Sequence, residues 1–442
     1  MNIILDSLTI ANALKSKLVG KNSKISRVML NSKDAGEKNA CFFAIKGNNY
    51  DGNDFIDEAI QNGARLIVTD KVPKRNAPYI LVDDTKIALG ILSSLNKGKT
   101  KIIAITGSTG KTTTKEMLKS VLSQKHTVVA SKFNENNEIG VAKTLLSIKN
   151  HDFCILEMGM RGLGEIRHLA RISEPNISVI TNCGSAHLER LKTTENIFKA
   201  KTEILEYTKD FAIIPSEPRF KKCDFKSIRP IFVGEGGDYQ IQEVLISENG
   251  IKAVFKDNNL NRCDDIYINS FGKYNAQNAL NVYVVAKLLG LNENDIKNGF
   301  CSYEGCDMRG RLFMKNQVTI IEDCYNSSYE GMKNAIESLT EYSNFHNKTP
   351  YMLVGDMLEI GDGADEYHYR IGEYAKDLGV KNIFSYGDKT KHILDGFCGG
   401  LDFKSEDSLV SYINQNLGED DVLLVKASRG MHFEKIISKL KV

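Results

Sequence analysis

The chain has 442 residues, of which 42% are hydrophobic and 26% charged, and its formal net charge at pH 7 is +2. This length exceeds one ordinary hydrophobic core and predicts two to four domains. The near-neutral charge gives no electrostatic reason to expect a nucleic acid as partner. Nine scattered cysteines, no secretory signal pattern and no apolar run near ~20 residues predict a cytoplasmic protein with reduced thiols and no membrane insertion.

The amino-terminal part, residues 1–97, mixes short strands and helices. Strands are predicted at 41–45, 66–69 and 79–82, with a helix around 55–62. The polar stretch at 96–100 (NKGKT) is a plausible linker to the next segment.

A phosphate-binding loop is predicted at residues 102–114, which read IIAITGSTGKTTT. An apolar strand leads into a glycine loop, and a helix is expected to begin near Lys115. Backbone N–H groups and a helix N-terminus suit phosphate oxygens, while Lys111 adds a charge and the Thr112 hydroxyl can hold Mg²⁺. Gly107 and Gly110 have two residues between them, where the common motif has four. The pattern predicts a protein that binds ATP.

The middle segment alternates apolar strands with helical patterns, the strands lying at 102–106, 153–157, 177–181 and 211–215. This alternation favours a parallel sheet covered by helices on both faces, with ligands beyond the carboxyl ends of the strands. Glu157 ends one strand and could hold Mg²⁺. His187 follows another, although a lone histidine is more often structural than a metal ligand. Lys201 would ordinarily be a helix-surface lysine, since an ammonium cannot ligate a metal.

The last segment repeats the α/β pattern, with strands predicted at 318–323, 351–354, 382–385 and 422–425. Together the segments predict an α/β protein of three domains. A central P-loop parallel-sheet ATPase domain (98–310) is flanked by an amino-terminal mixed α/β domain (1–97) and a carboxyl-terminal Rossmann-like domain (311–442).

A set of short motifs runs through the chain in the order and spacing of the Mur ligase family, which the sequence therefore resembles over nearly its whole length. The motifs are GSTGKTTT at 107–114, NENNEIG at 134–140, LEMG at 156–159, TN at 181–182, AHLE at 186–189, AKTE at 200–203, NAQNA at 275–279, GRL at 310–312, DCYN at 323–326, GDMLEIG at 355–361 and KASRG at 426–430. The segment FAIKG at 43–47 is similar as well. The set is specific, although no single motif would be.

The resemblance implies an ATP-dependent ligase that forms a carbon–nitrogen bond through an acyl phosphate. The expected small-molecule substrates are a UDP-muramyl peptide, made of UDP-N-acetylmuramic acid and a tripeptide, and D-alanyl-D-alanine, joined by a cytoplasmic monomer in peptidoglycan synthesis. The resemblance also implies closure of domain three onto domain two around ATP.

The resemblance further assigns roles to residues. The implied catalytic set is Lys111, Glu157, His187 and Lys201, the last as a carbamate, and two Mg²⁺ ions would be held by Thr112, Glu157, His187 and that carbamate. The implied ATP-binding residues are Gly107, Ser108, Thr109, Gly110, Lys111, Thr112, Thr113, Asn278 near the adenine, Arg311 at phosphate, Asp323 at the ribose, and Asn326. The implied substrate-binding residues are Ser32, Lys46, Asn134, Asn136 and Asn137.

Several positions depart from the family pattern and leave the substrate open. They are Asn31 and Lys33 around Ser32, Asn53, Phe133 in place of a glycine, Ala142 with Lys143, and Tyr274. One alternative is a paralogous amide ligase of the same fold that activates a different carboxylate, such as another cell-wall precursor or a cofactor acid. The other is a nucleotide-binding protein without ligase chemistry.

Overall fold

The computed structural model describes residues 2–34, 39–47, 49–184, 188–315, 317–358, 360–361 and 363–441. In these residues the chain forms three β-sheets, each built from one continuous part of the sequence and covered by helices. The α/β class expected from the sequence is confirmed.

The first sheet is mixed and has the strand order β1-β3-β4-β5-β6-β2. Strands β3, β4, β5 and β6 are parallel, and the two outer strands run antiparallel to their neighbours. Its strands are β1 Asn2–Asp6, β2 Leu18–Val19, β3 Lys24–Met29, β4 Ala40–Phe43, β5 Ala64–Thr69 and β6 Tyr79–Leu81. Its helices are α1 Ser7–Ala13, α2 Ile56–Gln61 and α3 Thr85–Ser94.

The second sheet has nine strands in the order β15-β14-β13-β12-β11-β10-β7-β9-β8. Its strands are β7 Lys101–Thr106, β8 Val128–Ala130, β9 Phe153–Glu157, β10 Ile177–Ile180, β11 Phe211–Pro215, β12 Arg229–Val233, β13 Tyr239–Ser247, β14 Gly250–Asp257 and β15 Arg262–Ile268. Its helices are α4 Lys111–Leu122, α5 Glu138–Leu146, α6 Glu165–Ser173, α7 Leu188–Leu191, α8 Thr194–Thr202, α9 Asn275–Leu288 and α10 Glu293–Cys301.

Strand β7 lies inside the parallel part of this sheet, between β9 and β10. Alternate residues of β7 enter two separate apolar cores, Ile103 and Ile105 on one face and Ile102 and Ala104 on the other. Burial on both faces explains the continuous apolar run of the sequence. The carboxyl ends of β7, β9 and β10 therefore meet at one edge. Strand β13 joins β12 in parallel, and β14 and β15 extend the sheet further in antiparallel fashion, which the sequence interpretation did not include.

The third sheet has the order β16-β17-β21-β18-β19-β20 and is parallel except for β16. Its strands are β16 Arg311–Lys315, β17 Val318–Asp323, β18 Thr349–Val354, β19 Asn382–Ser385, β20 Leu401–Asp402 and β21 Asp421–Lys426. Its helices are α11 Tyr329–His346, α12 Ala364–Asp377, α13 Lys391–Phe397, α14 Glu406–Asn416 and α15 Phe433–Lys439.

Specific contacts join the three parts of the chain. The Asn96 side chain donates to the carbonyl oxygens of Leu145 (2.9 Å) and Ile148 (3.0 Å), which ties the end of α3 to α5. Lys273, before α9, pairs with Glu341 of α11 at 2.7 Å. No helix in the described part of the chain is both long and apolar enough to cross a bilayer.

Candidate functional site

The predicted phosphate loop connects β7 to α4. Gly110 has a left-handed backbone (φ +79°) and forms the N-cap of α4, so the helix begins at Lys111 rather than near Lys115 as expected. Lys111 and the threonines that follow it therefore form the first turn. A Cβ atom at Gly107 would lie 1.9 Å from the Thr181 hydroxyl, and one at Gly110 would lie 2.2 Å from the Asn278 amide oxygen. Only glycine fits at these two positions.

The middle of the loop is held by the segment that follows β10. The Asn182 side chain accepts from the Thr109 backbone N–H at 3.1 Å and donates to the Thr109 carbonyl and hydroxyl. The Thr181 hydroxyl donates to the same carbonyl at 2.6 Å, and the Ser108 hydroxyl donates to Gly184. The Lys111 ammonium donates to the Gly107 carbonyl at 2.8 Å, over the loop. The segment after β10 therefore fixes the loop backbone, and the Lys111 ammonium lies over the loop.

Thr112 and Glu157 meet at the start of α4. The Thr112 hydroxyl donates to one Glu157 oxygen at 2.8 Å, and the Asn136 amide donates to the other at 3.0 Å. The Glu157 side chain is 1% exposed. A hydroxyl beside a buried carboxylate is a pair of hard oxygen donors, the kind that Mg²⁺ prefers.

Glu157 is held as a carboxylate by its surroundings. Burial acts to raise the pKa of Glu157, but the ammonium groups of Lys111 and Lys115, the Arg309 guanidinium and the Asn136 amide outweigh it and lower the pKa. The Lys115 ammonium lies 3.7 Å from a Glu157 oxygen. The site therefore keeps one fixed negative charge among several cations.

Lys201 lies on α8 with its side chain 1% exposed, not on a solvated surface. Burial, followed by repulsion from the Lys111 ammonium, lowers the pKa of Lys201 to about 7. A large part of this amine is then uncharged at neutral pH. The predicted partner His187 lies outside the described residues. Among the described residues, no group of three or more His, Cys, Asp or Glu side chains is arranged to hold a metal ion.

The predicted adenine residue, Asn278, lies on α9 directly against the phosphate loop. Its amide oxygen accepts from the Thr114 hydroxyl at 3.3 Å, and its NH₂ group donates to Asn275 at 2.9 Å. The structure thus brings Asn278 to the start of α4, among the predicted ATP-binding residues.

The predicted ribose residue, Asp323, ends β17 and pairs with Lys426 at the end of β21, at 2.9 Å. The Lys426 ammonium also donates to the carbonyl of Asn326 at 2.7 Å, and Lys426 is 3% exposed. Arg311, the predicted phosphate ligand, is half exposed and pairs with Asp307 at 2.7 Å. The contacts that Arg311 makes in the described residues, with Asp307, Glu322 and the Phe313 ring, all lie outside the phosphate loop.

The predicted acid-substrate residues fall in two places. In the first sheet, the Ser32 hydroxyl donates to Glu58, and Lys46 is exposed. In the second, Asn136 contacts Glu157, Asn134 is exposed, and the Asn137 side chain caps α5 by accepting from the Gly140 N–H. Within the described residues, Asn136 is therefore the member of this set that is connected to the start of α4, through its hydrogen bond to Glu157.

Three cations near these residues were not assigned a role from the sequence: Lys115, Arg309 and Lys426. Arg309 stacks on the Tyr325 ring with its guanidinium carbon 3.9 Å from the ring centre. Lys426 lies in the KASRG motif, which could have signalled it. Lys115 and Arg309 carried no signal beyond their closeness to motifs.

Comparison with known proteins agrees with this arrangement. Models described as Mur ligase middle domain, Mur ligase glutamate ligase domain and Mur ligase family catalytic domain match residues 105–286, 308–429 and 24–97, respectively. A UDP-N-acetylmuramoyl-tripeptide–D-alanyl-D-alanine ligase of Bacillus subtilis (strain 168) is 32% identical over 420 residues, covering 91% of each chain. One from Haemophilus influenzae is 30% identical and covers 99% of each.

Solved structures give the same result. A crystal structure of MurF from Acinetobacter baumannii has a TM-score of 0.91 and 26% identity, covering 100% of this chain and 99% of that one. MurF ligase from Thermotoga maritima, solved in complex with ADP, has a TM-score of 0.84 and 28% identity, covering 94% and 97%. Because the curated relatives reach 30% identity or more over most of both chains, this chain belongs to the Mur ligase family.

Proposed function

We propose that this protein uses ATP to join D-alanyl-D-alanine to a UDP-N-acetylmuramoyl-tripeptide, the activity named for its relatives. The observation that carries the proposal is the contact between Thr112 and Glu157 at the first turn of α4, beside Lys111. This arrangement suits the transfer of the terminal phosphate of ATP. The ADP complex of the Thermotoga maritima relative supports a nucleotide in this fold.

The residues at the loop fit a Mg²⁺–ATP complex. Gly107 and Gly110 let the Thr181 hydroxyl and the Asn278 amide approach the loop backbone closely, and Thr112 and Glu157 supply hard oxygen donors. Mg²⁺ usually takes one or two protein ligands together with phosphates and water, so a larger acidic cluster is not required. Thr112 and Glu157 would hold Mg²⁺, which would offset the negative charge of the phosphates.

The residues of the chain then have separate tasks in the reaction. The substrate carboxylate attacks the terminal phosphorus of ATP and ADP leaves; the dipeptide amine then attacks the acyl carbon and phosphate leaves. Two anions must meet in the first step, so Lys111 and the loop N–H groups stabilise the charge on the transferring phosphoryl group. Glu157 and Thr112 orient the metal-bearing phosphates, and Asn136 fixes the Glu157 carboxylate from the other side.

We infer that Lys201 is carbamylated. Carbamate formation requires a neutral amine, and the pKa of about 7 supplies one near neutral pH. The modification would turn a cation into an anionic oxygen ligand. Together with His187 it would hold a second Mg²⁺ near the acyl group.

We also propose roles for the outer residues and the domain division. Asn278 would face the adenine, Asp323 the ribose, and Arg311 the phosphates after domain three closes on domain two. Residues 1–97, 98–310 and 311–442 would be the three domains. Ser32 and Lys46 would contact the nucleotide sugar. We expect the enzyme to act as a cytoplasmic monomer.

The proposal is tested by phosphate release from ATP. A panel of UDP-muramyl peptides is supplied with and without D-alanyl-D-alanine, and the product is identified by mass spectrometry. Phosphate release that needs both substrates, with the amide product, is the expected result. Ligation only with a different acid would favour the paralogous ligase. ATP binding without any acid-dependent phosphate release would favour the non-catalytic alternative.

A further inference from the structure

A second lysine in the first turns of α4, Lys115, has no role in the phosphate chemistry described above. It lies one helical turn after Lys111, yet its side chain is 0% exposed. Burying an ammonium costs several kcal/mol unless its donors and its charge are satisfied. The contacts that satisfy it therefore indicate what it does.

The Lys115 ammonium holds the segment that follows β8. It donates to the carbonyl oxygens of Ser131 at 2.8 Å and Phe133 at 3.1 Å, and it pairs with Glu116 at 3.0 Å. These three contacts account for its three donors. Its charge also lies 3.7 Å from Glu157. Lys115 thus connects α4, the 131–137 loop and the carboxylate at the end of β9.

The same loop contacts Glu157 from the other side. The Ser131 hydroxyl accepts from the Glu157 backbone N–H at 3.1 Å, and the Asn136 amide donates to the Glu157 carboxylate at 3.0 Å. The Asn136 carbonyl accepts from the Gly159 N–H at 2.9 Å. The position of the loop and the orientation of the carboxylate are therefore coupled.

The loop conformation is strained at the point that Lys115 holds. Phe133 has φ +46°, a left-handed conformation that costs a non-glycine residue about 1–2 kcal/mol. Its ring is 80% exposed, so burial of the ring does not offset that cost. The hydrogen bond from Lys115 to the Phe133 carbonyl is the contact that fixes this residue.

We propose that Lys115 is a positioning residue that holds the 131–137 loop, and through it Glu157, in the geometry that receives the Mg²⁺-bearing phosphates. This inference rests on the proposed function for its consequence in catalysis. Lys115 itself touches no reacting atom. It differs from Lys111, whose ammonium lies over the phosphate loop.

The direction in which the required Mg²⁺ concentration changes distinguishes a positioning role of Lys115 from a purely electrostatic one. Removing a cation beside Glu157 strengthens the attraction of the carboxylate for Mg²⁺, so a pure charge effect would lower the Mg²⁺ concentration needed. If the 131–137 loop lost its position, the Mg²⁺ concentration needed would instead rise. In Lys115→Met we expect the Mg²⁺ concentration for half-maximal ADP binding to rise about tenfold, a loss typical of a hydrogen bond to a charged group.

The experiment measures ADP binding by calorimetry over a series of Mg²⁺ concentrations, which requires no acid substrate. Lys119→Met is the matched control, since Lys119 is exposed one turn further along α4 and should behave as the unmodified protein. ADP affinity without Mg²⁺ should stay within about twofold in both variants, because Lys111 and the loop N–H groups remain.

Ser131→Ala is the second variant, because it keeps the buried ammonium and removes only the hydroxyl that binds the Glu157 backbone. It should raise the Mg²⁺ requirement in the same direction, by a smaller factor. If Lys115→Met does not fold by circular dichroism, Lys115→Arg, which keeps the charge but moves the donors, replaces it. An unchanged or lower Mg²⁺ requirement in the folded variants overturns the proposal. Equal loss of ADP affinity without Mg²⁺ would instead make Lys115 a phosphate ligand and overturn it as well.

These outcomes are distinguishable from failure of the proposed function. If the unmodified protein forms no amide with any muramyl peptide, the calorimetric test still reports on Lys115. If it does form the amide, Lys115→Met should lower kcat for ligation at fixed Mg²⁺ more than it raises KM for ATP.

Discussion

Glu203 tests which side chain fixes the loop between β9 and α6. It begins the 3-10 turn that follows α8, and its two oxygens accept from the backbone N–H groups of Gly164 (2.7 Å) and Arg167 (3.0 Å) at the start of α6. Its side chain is 4% exposed. Each hydrogen bond to a charged group contributes about 1.5–3 kcal/mol. Because water can reach these partly exposed N–H groups after truncation, we expect Glu203→Ala to lower the free energy of unfolding by about 2–4 kcal/mol.

Glu206 is a matched control, because it binds the same arginine at the surface. Its carboxylate accepts from the Arg167 guanidinium at 2.8 Å and its side chain is 41% exposed. An exposed ion pair of this kind contributes about 0–1 kcal/mol. We therefore expect Glu203→Ala to destabilise the protein much more than Glu206→Ala, although both variants remove a carboxylate that contacts Arg167.

The assay is thermal unfolding followed by far-UV circular dichroism, since the chain has no tryptophan to report by fluorescence. At roughly 2–4 °C per kcal/mol for a part of this size, Glu203→Ala should lower Tm by about 4–16 °C and Glu206→Ala by less than about 4 °C. Glu203→Gln keeps one acceptor oxygen and should fall between them. Equal shifts for the two alanine variants would refute the role of Glu203 as the cap of α6.

Four further results are expected. Lys111→Ala should reduce phosphate release by on the order of 10²-fold or more, whereas Lys119→Ala should retain it; near-normal ligation by the former would refute ATP use at this loop. Lys201→Ala should fold but lose most activity, with partial rescue by a short carboxylic acid and none by an amine, read by the same assay. Burial lowers the pKa of His368, whose Nε2 accepts from the Met357 N–H, so the stability contribution of His368 should fall as pH drops below about 6.5, and a wild-type minus His368→Leu comparison of Tm from pH 8 to 5 measures it. ATP with the acid substrate should reduce the radius of gyration in small-angle scattering; no change would indicate a preformed site.

The strands were predictable from sequence where apolar runs are buried on both faces. Strands β9, β11, β17 and β19 have the bounds expected from the pattern, because polar residues or turns stop each run abruptly. Strand β13 was not predicted. Its residues 239–247 are mostly half-buried and alternate weakly, so no continuous apolar signal marks them.

The predicted start of α4 was wrong, and the structure shows why. Thr112, Thr113 and Thr114 have modest helix propensity, so their local sequence does not mark them as helical. In the structure the left-handed Gly110 and the contacts of Thr112 with Glu157 and Thr114 with Asn278 place these residues in the helix. Those partners lie 45 and 164 residues away in sequence, so local propensity cannot report them.

Side-chain partners in the site were the least predictable feature. The family resemblance implied that Asp323 faces a ribose, and the structure shows its carboxylate paired with Lys426, which is 103 residues further on. Arg311 was expected at phosphate and pairs with Asp307. The strand end places Asp323 at one edge of the sheet, but the parallel neighbour β21 supplies its partner, whereas Asp307 lies only four residues before Arg311.

The three lysines around the loop occupy different electrostatic states, and this difference bears on carbamylation. Lys115 is buried with carbonyl and carboxylate partners, and Lys111 lies over the loop. Lys201 is buried and repelled by Lys111, which is why its pKa is lowered to about 7. A carbamate on Lys201 would carry a negative charge, so the same Lys111 ammonium would attract it. The surroundings that destabilise the ammonium form of Lys201 would therefore favour its carbamate, and a bound triphosphate, by offsetting the Lys111 charge, would weaken both effects.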